Sequence, residues 1–216
     1  MSRHLSRRHW LKLMSIAAGG AALPAVASAK NEKGENLLLP QVNSLYKELD
    51  RPVSAITLGA GNRGNVYGGY SLAYPGQLDI VGVAEPIELR NERYARRHNL
   101  QEDNRFKTWE DVFKKEKFAD AVIITTPDNL HYGPCMAALK MGYDVLLEKP
   151  ISPSEKECRD ILALAKKNNR IVAVCHVLRY APYFIKLKEL MHNGSIGDII
   201  SIQHLEPIHH VHMSHS

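Results

Sequence analysis

The chain has 216 residues, 44% hydrophobic and 24% charged, so it is long enough for one large globular domain or for one domain and part of another. Its formal charge of +5 falls to +1 if residues 1–29 are removed, because that segment carries four basic residues and no acidic one. A nearly neutral chain gives no electrostatic reason to expect a nucleic-acid partner. Its three cysteines lack C-x-x-C spacing and favour neither a disulfide framework nor a zinc ribbon.

Residues 1–29 have the layout of an export signal. Basic residues come first, a short apolar stretch rich in Ala and Gly follows, and Ala27-Ser28-Ala29 precedes Lys30. The segment SRRHWLK resembles a twin-arginine signal, with Arg7 and Arg8 as the pair. We therefore expect a periplasmic or otherwise exported protein with no membrane association once the signal is removed; a short membrane anchor is the alternative.

Residues 30–51 are predicted to be a linker, and a regular alternation of apolar and amphipathic stretches begins at Pro52. The apolar runs predict parallel strands buried on both faces, and the stretches between them predict helices. This pattern is typical of a doubly wound, Rossmann-like α/β domain, here residues 52–178. Ser154, followed three residues later by Glu157, predicts a capping box at one helix start. Strands are predicted at 53–59, 78–84, 105–108 (weaker), 119–126, 143–147 and 170–177, and helices at 87–98, 109–117, 130–141, 154–168 and 182–193.

Residues 179–216 are predicted to begin a second α/β domain. A helix, a turn with Gly194 and Gly197, and an isoleucine-rich segment from Ile199 to Leu205 follow one another. Because a strand needs partners, we expect this region to be a connecting helix and the first strand of a substrate domain whose remainder is absent from the sequence.

The segment GAGNRG follows the first predicted strand with the G-x-G-x-x-G spacing of dinucleotide-binding loops. Its glycines allow a tight turn and close backbone approach, while the next helix offers N–H groups and a positive dipole end to a pyrophosphate. Glu85 ends the second strand, where a carboxylate can accept hydrogen bonds from ribose hydroxyls and repel a 2′-phosphate. This favours NAD, although Arg90 and Arg93 leave NADP open. The predicted cofactor-binding residues here are Gly59, Gly61, Asn62, Arg63, Gly64 and Glu85.

Two further strand ends carry polar residues that are predicted to line the same crevice, because ligands of open parallel sheets bind at the carboxyl ends of strands. Lys149 would lie near the nicotinamide, whose positive ring favours the neutral amine and suits it to proton transfer with a substrate hydroxyl. The alternatives are a packing or capping role for His131 and a surface ion pair for Lys149. The predicted cofactor-binding residues are Thr126, Pro127, Asn129 and His131 after one strand, and Glu148 and Lys149 after the next.

Together, the segments GAGNRG, TTPDNLH, ALKMGYDVLLEKPIS and LRYAPYFIKLKELMHNGSIGDI resemble the glucose-fructose oxidoreductase, inositol dehydrogenase and MocA family, over about residues 53–205. The most specific part is Glu148-Lys149-Pro150. The resemblance implies a Rossmann domain that binds NAD(P), followed by an α/β domain with a large open sheet. In the family that sheet supplies much of a sugar or cyclitol site and usually mediates subunit pairing, so a homo-oligomer is expected for a full-length protein.

By the same resemblance, Lys149 is the catalytic or substrate-positioning lysine, and Glu148 contacts the nicotinamide ribose. His176 and Tyr180 become catalytic candidates and Arg179 a cofactor-binding one, since the family places the corresponding residues beside the nicotinamide. The segment CHVLRYAP departs from the commoner asparagine-containing version, which weakens the match at His176. The family also uses an aspartate and histidine pair in its second domain. This sequence stops before such a pair, so it is expected to bind cofactor yet to be catalytically incomplete.

These features predict an exported NAD-dependent oxidoreductase that acts on a sugar or polyol and keeps its nucleotide bound. One alternative is an NAD-dependent glycosidase that oxidises, eliminates and re-reduces its sugar, and another is an inactive nucleotide-binding fragment. Lys149 favours the oxidoreductase, because the glycosidase relatives often lack this lysine. Histidines 204, 209, 210, 212 and 215 raise a zinc alternative, but no cysteine or carboxylate cluster accompanies them, and no metal site is predicted.

Overall fold

The computed structural model describes residues 50–207, which fall into two compact units that divide between Ala181 and Pro182. The predicted export signal, nearly all of the predicted linker and the histidines from His209 onward lie outside the described residues. Within residues 50–207, no helix is long and apolar enough to cross a membrane.

The first unit contains a six-stranded parallel sheet with the strand order β3-β2-β1-β4-β5-β6. The chain runs outward from β1 to one edge and then returns to build the other half beside it. This order confirms the doubly wound, Rossmann-like fold. The direction in which the chain adds strands reverses between β1 and β4, and ligands of such sheets bind at this switch point. The strands are β1 Val53–Leu58, β2 Leu78–Ala84, β3 Arg105–Phe106, β4 Ala121–Ile124, β5 Asp144–Leu147 and β6 Val172–Val174.

Helices cover both faces of the sheet. Successive residues of the central strands point to opposite faces of the sheet, so Ala55 and Ile56 of β1 belong to two separate apolar clusters. One cluster includes residues of the first two helices, and the other includes residues of the fourth and fifth. Burial on both faces explains why β4 and β5 have no exposed residue and read as continuous apolar runs. The helices are α1 Asn62–Ala73, α2 Glu88–Arg97, α3 Trp109–Val112, α4 Tyr132–Lys140, α5 Glu155–Lys167 and, in the second unit, α6 Pro182–His192.

Most predicted elements are present, with ends within about three residues of those expected. The exception among the helices is α3, which ends at Val112 rather than at residue 117. Lys114 and Lys115 continue from it in turns whose N–H groups bond to carbonyls three residues back. The lysine-rich segment after Phe113 lacks apolar residues at helical spacing, so no buried face extends the helix.

The predicted capping box at the start of α5 is half formed. The Ser154 hydroxyl accepts a hydrogen bond from the Glu157 backbone N–H at 3.5 Å, as expected. The Glu157 carboxylate, however, accepts from the Ser152 hydroxyl, and the Ser152 oxygen accepts from the Ser154 N–H at 3.0 Å. Ser152 therefore mediates the return contact that the sequence pattern assigned to Glu157 alone.

The predicted strand after Gly197 is not formed within the described part of the second unit. Residues 199–207 have no strand or helix, and the side chain of Ile200 is 97% exposed, with Ile202 and Leu205 also exposed. A strand needs a neighbouring strand for hydrogen bonding. The described residues of this unit contain the helix α6 but no second strand. The assignment of residues 179–216 to a substrate domain stays a prediction.

Gly68 allows α1 to pack closely against α2. A Cβ at this position would lie 2.3 Å from the Tyr94 hydroxyl and 2.8 Å from His98 Nε2, so no larger residue fits without a shift. The Tyr94 hydroxyl also bonds to Thr57 Oγ1 of β1 at 2.8 Å. His98 Nε2 is buried without a hydrogen-bond partner among the described residues. Burial, assisted by the positive charge of Arg97, lowers the pKa of His98 to about 4.

Acid should destabilise the folded chain partly through His98. The imidazole binds a proton near pH 6.5 when the chain is unfolded but only near pH 4 in the fold, so the unfolded state takes up more protons in that window. Stability should be independent of this group above the window and fall as the pH drops through it. Between about pH 7 and about pH 4.5, we expect the melting temperature of His98→Gln to fall less than that of the parent chain. Equal losses in circular-dichroism melts of the two proteins would contradict the assignment.

Candidate cofactor-binding and catalytic site

The first and third glycines of the GAGNRG loop are required by close packing. Gly59 follows β1 with a positive φ of 92°, and a Cβ there would lie 2.7 Å from the Thr125 carbonyl oxygen at the end of β4. A Cβ on Gly64 would lie 2.1 Å from the Gly59 carbonyl oxygen. The two glycines therefore let α1 lie directly on the ends of β1 and β4, as predicted from their spacing.

The second glycine leaves open space at the beginning of α1. Gly61 is the N-cap residue, and a Cβ there would meet no described atom within 4 Å. Among residues 50–207, no side chain caps this helix start, and its first turn contains no acidic residue. Free N–H groups, a positive dipole end and room for close approach are the features that a pyrophosphate needs. The loop therefore fits a dinucleotide.

Two side chains outside the glycine pattern hold the loop in place. The Asn65 amide donates to the carbonyl oxygens of Ala60 and Gly61, both at 2.8 Å. The Thr125 hydroxyl donates to the Gly59 carbonyl oxygen at 2.6 Å. Neither role was predicted from the sequence. For Asn65 a signal exists, because an amide four residues after the second glycine can reach back over one helical turn.

Glu85 holds the glycine-rich loop rather than presenting an open carboxylate. One carboxylate oxygen accepts from the Ala60 N–H at 2.8 Å, and the other accepts from the Ile87 N–H at 3.0 Å. The residue is only 4% exposed. It lies at the end of β2 as predicted, but each oxygen already has one backbone partner, and contact with a ribose would have to use the remaining lone pairs.

His131 lies inside the protein, which corrects the prediction that it contacts the cofactor. The side chain has no exposed surface. Its Nδ1 lies 2.6 Å from the Pro150 carbonyl oxygen, and its Nε2 lies 3.0 Å from the Thr126 carbonyl oxygen. The ring therefore connects the segment after β4 to the segment after β5. This is the packing role that the sequence left open as an alternative.

The Glu148 carboxylate is the centre of a buried hydrogen-bond network. The residue is 5% exposed, and its Oε1 accepts from the Tyr67 hydroxyl of α1 at 2.6 Å. Arg63 Nε lies 3.5 Å from the same oxygen, and Oε2 accepts from the Lys149 backbone N–H at 3.0 Å. Glu148 thus joins the first turns of α1 to the end of β5. Its predicted contact with a nicotinamide ribose stays a prediction.

Burial keeps the two neighbours of Glu148 protonated. It raises the pKa of Tyr67, and the adjacent Cys175 and Glu148 act in the same direction, so the phenol remains a hydrogen-bond donor. Burial also raises the pKa of the Cys175 thiol to about 12. Cys175 follows β6 directly, so residues from the ends of β5 and β6 and from α1 meet around this carboxylate.

Lys149 is exposed at the same edge of the sheet, next to the buried Glu148. Its peptide bond to Pro150 is cis. The preceding strand β5 pairs with β4 on one side and β6 on the other, so the segments after all three strands begin at one edge. Thr126 is half-buried there, while Pro127 and Asn129 are exposed around a 3₁₀ turn, Asp128–Leu130.

The three predicted site residues that follow β6 lie at the same edge, because β6 pairs in parallel with β5. His176 follows the strand, and a 3₁₀ turn, Val177–Tyr180, comes next. His176 and Arg179 are exposed and Tyr180 is half-buried, so their side chains have surface available to a ligand. Within residues 50–207, no group of three or more His, Cys, Asp or Glu side chains is arranged to hold a metal ion.

Substitution of Gly64 should destabilise the fold more than substitution of Gly61. Gly64→Ala should lower the free energy of unfolding by about 1–3 kcal/mol, because its Cβ would overlap backbone atoms that side-chain rotation cannot move. Gly61→Ala is the matched control and should cost at most about 1 kcal/mol, the usual difference at an N-cap. Urea unfolding of both variants measures the contrast. Equal losses would contradict the packing described for Gly64.

Glu85→Gln tests the structural role of Glu85 without any nucleotide. The amide replaces one acceptor oxygen with a donor, which would face the Ala60 or the Ile87 N–H and leave it unpaired. We expect a loss of about 1–3 kcal/mol in unfolding free energy. Glu88→Gln, whose side chain is 72% exposed, is the matched control and should be nearly neutral. A neutral Glu85→Gln would refute the loop-holding role.

Comparison with known proteins agrees with this geometry. The model of the oxidoreductase family with an NAD-binding Rossmann fold matches residues 54–176. An oxidoreductase of Formosa agariphila is 28% identical over 146 residues, covering 68% of this chain and 44% of that protein. The scyllo-inositol 2-dehydrogenase (NADP(+)) of Bacillus subtilis is 28% identical over 153 residues, covering 68% and 39%.

Solved structures show the same fold. An inositol dehydrogenase homologue of Azotobacter vinelandii, complexed with NADH and myo-inositol, superimposes with a TM-score of 0.62 at 23% identity, over 70% of this chain and 42% of that one. The chain thus spans less than half the length of these relatives. Because the family model covers more than half of the sequence, and the sheet order is that of a Rossmann fold, this chain belongs to the glucose-fructose oxidoreductase, inositol dehydrogenase and MocA family of NAD-binding Rossmann-fold oxidoreductases.

Proposed function

We propose that the protein is an NAD-dependent oxidoreductase that acts on a sugar or polyol, with Lys149 in proton transfer. The observation that carries the proposal is the juxtaposition at one sheet edge of an open, uncapped helix start at Gly61 and the exposed Lys149. The Glu148 carboxylate bonds to residues of both segments. Relatives named as inositol dehydrogenases support the polyol class.

The chemistry divides between the cofactor and the chain. A bound nicotinamide supplies hydride transfer to or from the carbinol carbon. In the oxidation direction, the neutral Lys149 amine accepts the hydroxyl proton as the carbon loses hydride, and the ammonium returns a proton in the reverse direction. The first turn of α1 would hold the pyrophosphate through backbone N–H groups, and Arg63 of that turn would add a positive charge. His176, Arg179 and Tyr180 are proposed to face the nicotinamide.

Export and tight nucleotide retention are part of the same proposal and rest on the sequence of residues 1–29. A protein exported by the twin-arginine route can carry a cofactor already bound, and free NAD is not expected outside the cytoplasm. We therefore propose that the nucleotide stays bound and is recycled by a second substrate or within one turnover. A homo-oligomer is proposed for a full-length protein, through the sheet of its second domain.

Titration of the purified 216-residue chain with NADH, after any bound nucleotide has been removed and followed by nicotinamide fluorescence, tests cofactor binding. We expect saturable binding, and for Gly61→Ala a weakening of about tenfold or more, equivalent to about 1.4 kcal/mol, because the added methyl group occupies the space that the pyrophosphate needs. A parallel titration with NADPH should give weaker binding, since the Glu85 carboxylate disfavours a 2′-phosphate.

Gly69→Ala serves as the control for the nucleotide experiment. It adds the same methyl group to the same helix, where the nearest atom is Arg97 Nη2 at 3.7 Å, and it lies two turns from the loop. This variant should bind NADH like the parent chain. No binding by the parent chain, or equal binding by Gly61→Ala, would refute the proposed site.

A further inference from the structure

Tyr67 is a buried tyrosine on α1 that the nucleotide-binding pattern of the loop does not require. It comes three residues after Gly64, one turn further along the helix, and has no exposed surface. Its hydroxyl donates to Glu148 Oε1 at 2.6 Å, across 81 residues of sequence. A phenol fully withdrawn from solvent is normally fixed by its hydrogen-bond partner, and here that partner is a carboxylate.

The hydrogen bonds around Glu148 fix the orientation of its carboxylate. A buried carboxylate is costly unless donors satisfy it. The Tyr67 hydroxyl is the short contact on Oε1, because Arg63 Nε is 3.5 Å from that oxygen and the Arg63 side chain is 44% exposed. With Oε1 held by Tyr67, Oε2 is directed at the Lys149 backbone N–H, which it meets at 3.0 Å.

The backbone around Lys149 is therefore held on both sides. Its N–H donates to the Glu148 carboxylate, and the Pro150 carbonyl lies 2.6 Å from His131 Nδ1. The side chain of Lys149 itself is exposed. A long exposed side chain on a fixed backbone occupies the volume that its Cα–Cβ direction allows, so the backbone contacts select where the amine can lie.

We propose that Tyr67 is a positioning residue for Lys149, acting through the Glu148 carboxylate. The hydroxyl of Tyr67 holds the carboxylate, the carboxylate holds the Lys149 peptide, and the amine is thereby kept at the crevice edge. The importance of that placement for catalysis rests on the proposed function. The contact also links α1, which begins at the nucleotide loop, to the lysine that is proposed to move the proton.

Loss of the Tyr67 hydroxyl should free the Glu148 carboxylate to rotate without leaving a large cavity in the core. Tyr67→Phe keeps the ring and removes one oxygen, so the contact that Oε1 retains among residues 50–207 is the longer one to Arg63. The carboxylate can then rotate toward Arg63 and weaken its bond to the Lys149 N–H. Tyr70→Phe is the matched control, because its hydroxyl lies on the same helix, is also buried and bonds to Gln77 rather than to Glu148.

Nuclear magnetic resonance of the Lys149 amine reads its placement directly. The lysines of the 216-residue chain are dimethylated with ¹³C-labelled formaldehyde, which keeps their charge, and Lys149→Arg assigns the Lys149 signal by its disappearance. In the absence of nucleotide, we expect Tyr67→Phe to move or broaden the Lys149 signal by more than its linewidth. Tyr70→Phe should leave it in place. A Lys149 signal in Tyr67→Phe that coincides with that of the parent chain would overturn the proposal.

A second variant keeps the test decisive if Tyr67→Phe does not fold. Glu148→Gln retains the size of the side chain but only one acceptor oxygen, and because Tyr67 and the Lys149 N–H approach different oxygens of Glu148, that oxygen can face only one of them. It should move the Lys149 signal in the absence of nucleotide, and an unchanged signal would overturn the proposal. Addition of NADH to the parent chain tests the proposed function separately. A Lys149 signal that does not respond to NADH would refute nucleotide binding beside Lys149 but would leave the nucleotide-free comparison valid.

Discussion

A buried carboxylate is the interaction on which the arrangement of the site depends. Glu148 lies at the end of β5 and is only 5% exposed, so its charge must be balanced by donors from the protein. Those donors are the Tyr67 hydroxyl and the Lys149 backbone N–H, with Arg63 nearby. Because Tyr67 and Arg63 belong to α1, satisfying one charge fixes the helix of the nucleotide loop relative to the strand end that carries Lys149.

This contact depends on the close packing of α1 against the ends of β1 and β4. Gly64 and Gly59 remove the side chains that would otherwise separate the helix from β1 and β4, with no room for a Cβ at either position. Thr125 then binds the loop from the β4 side, and Glu85 binds it from the β2 side. The glycine pattern thus serves two purposes here: it opens Gly61 to a ligand and brings Tyr67 within reach of Glu148.

The sequence predicted the fold well where the signal was local. Runs such as AVII of β4 are apolar throughout because helices cover both faces, and the glycine spacing identified the loop and its helix. It failed for the segment after Gly197, where isoleucines suggested a strand but the described residues of that unit provide no strand to pair with. A strand prediction from composition assumes a partner that the pattern itself cannot supply.

The sequence predicted which segments meet at the site but not which of their atoms are in contact. The topology of a parallel sheet brings the segments after β1, β4 and β5 to one edge, and this much follows from the order of the elements. Which groups are buried there depends on distances that only the folded chain defines. His131 was expected to contact a cofactor and instead lies between two carbonyl groups in the interior. Tyr67 was missed because its partner, Glu148, is set by tertiary packing. Asn65 bonds within its own loop, a local contact that its spacing from Gly61 could have indicated.

We expect a nicotinamide dinucleotide to bind along the carboxyl edge of this sheet, from the start of α1 to Lys149. The most direct measurement is a map of backbone amide chemical shifts in ¹⁵N-labelled protein as NADH is added. We expect the largest changes in the segments that follow the strands, residues 59–64, 126–131, 148–150 and 176–180. Changes confined to the opposite edge, around Val53, Leu78 and Ala121, or no changes at all, would contradict it.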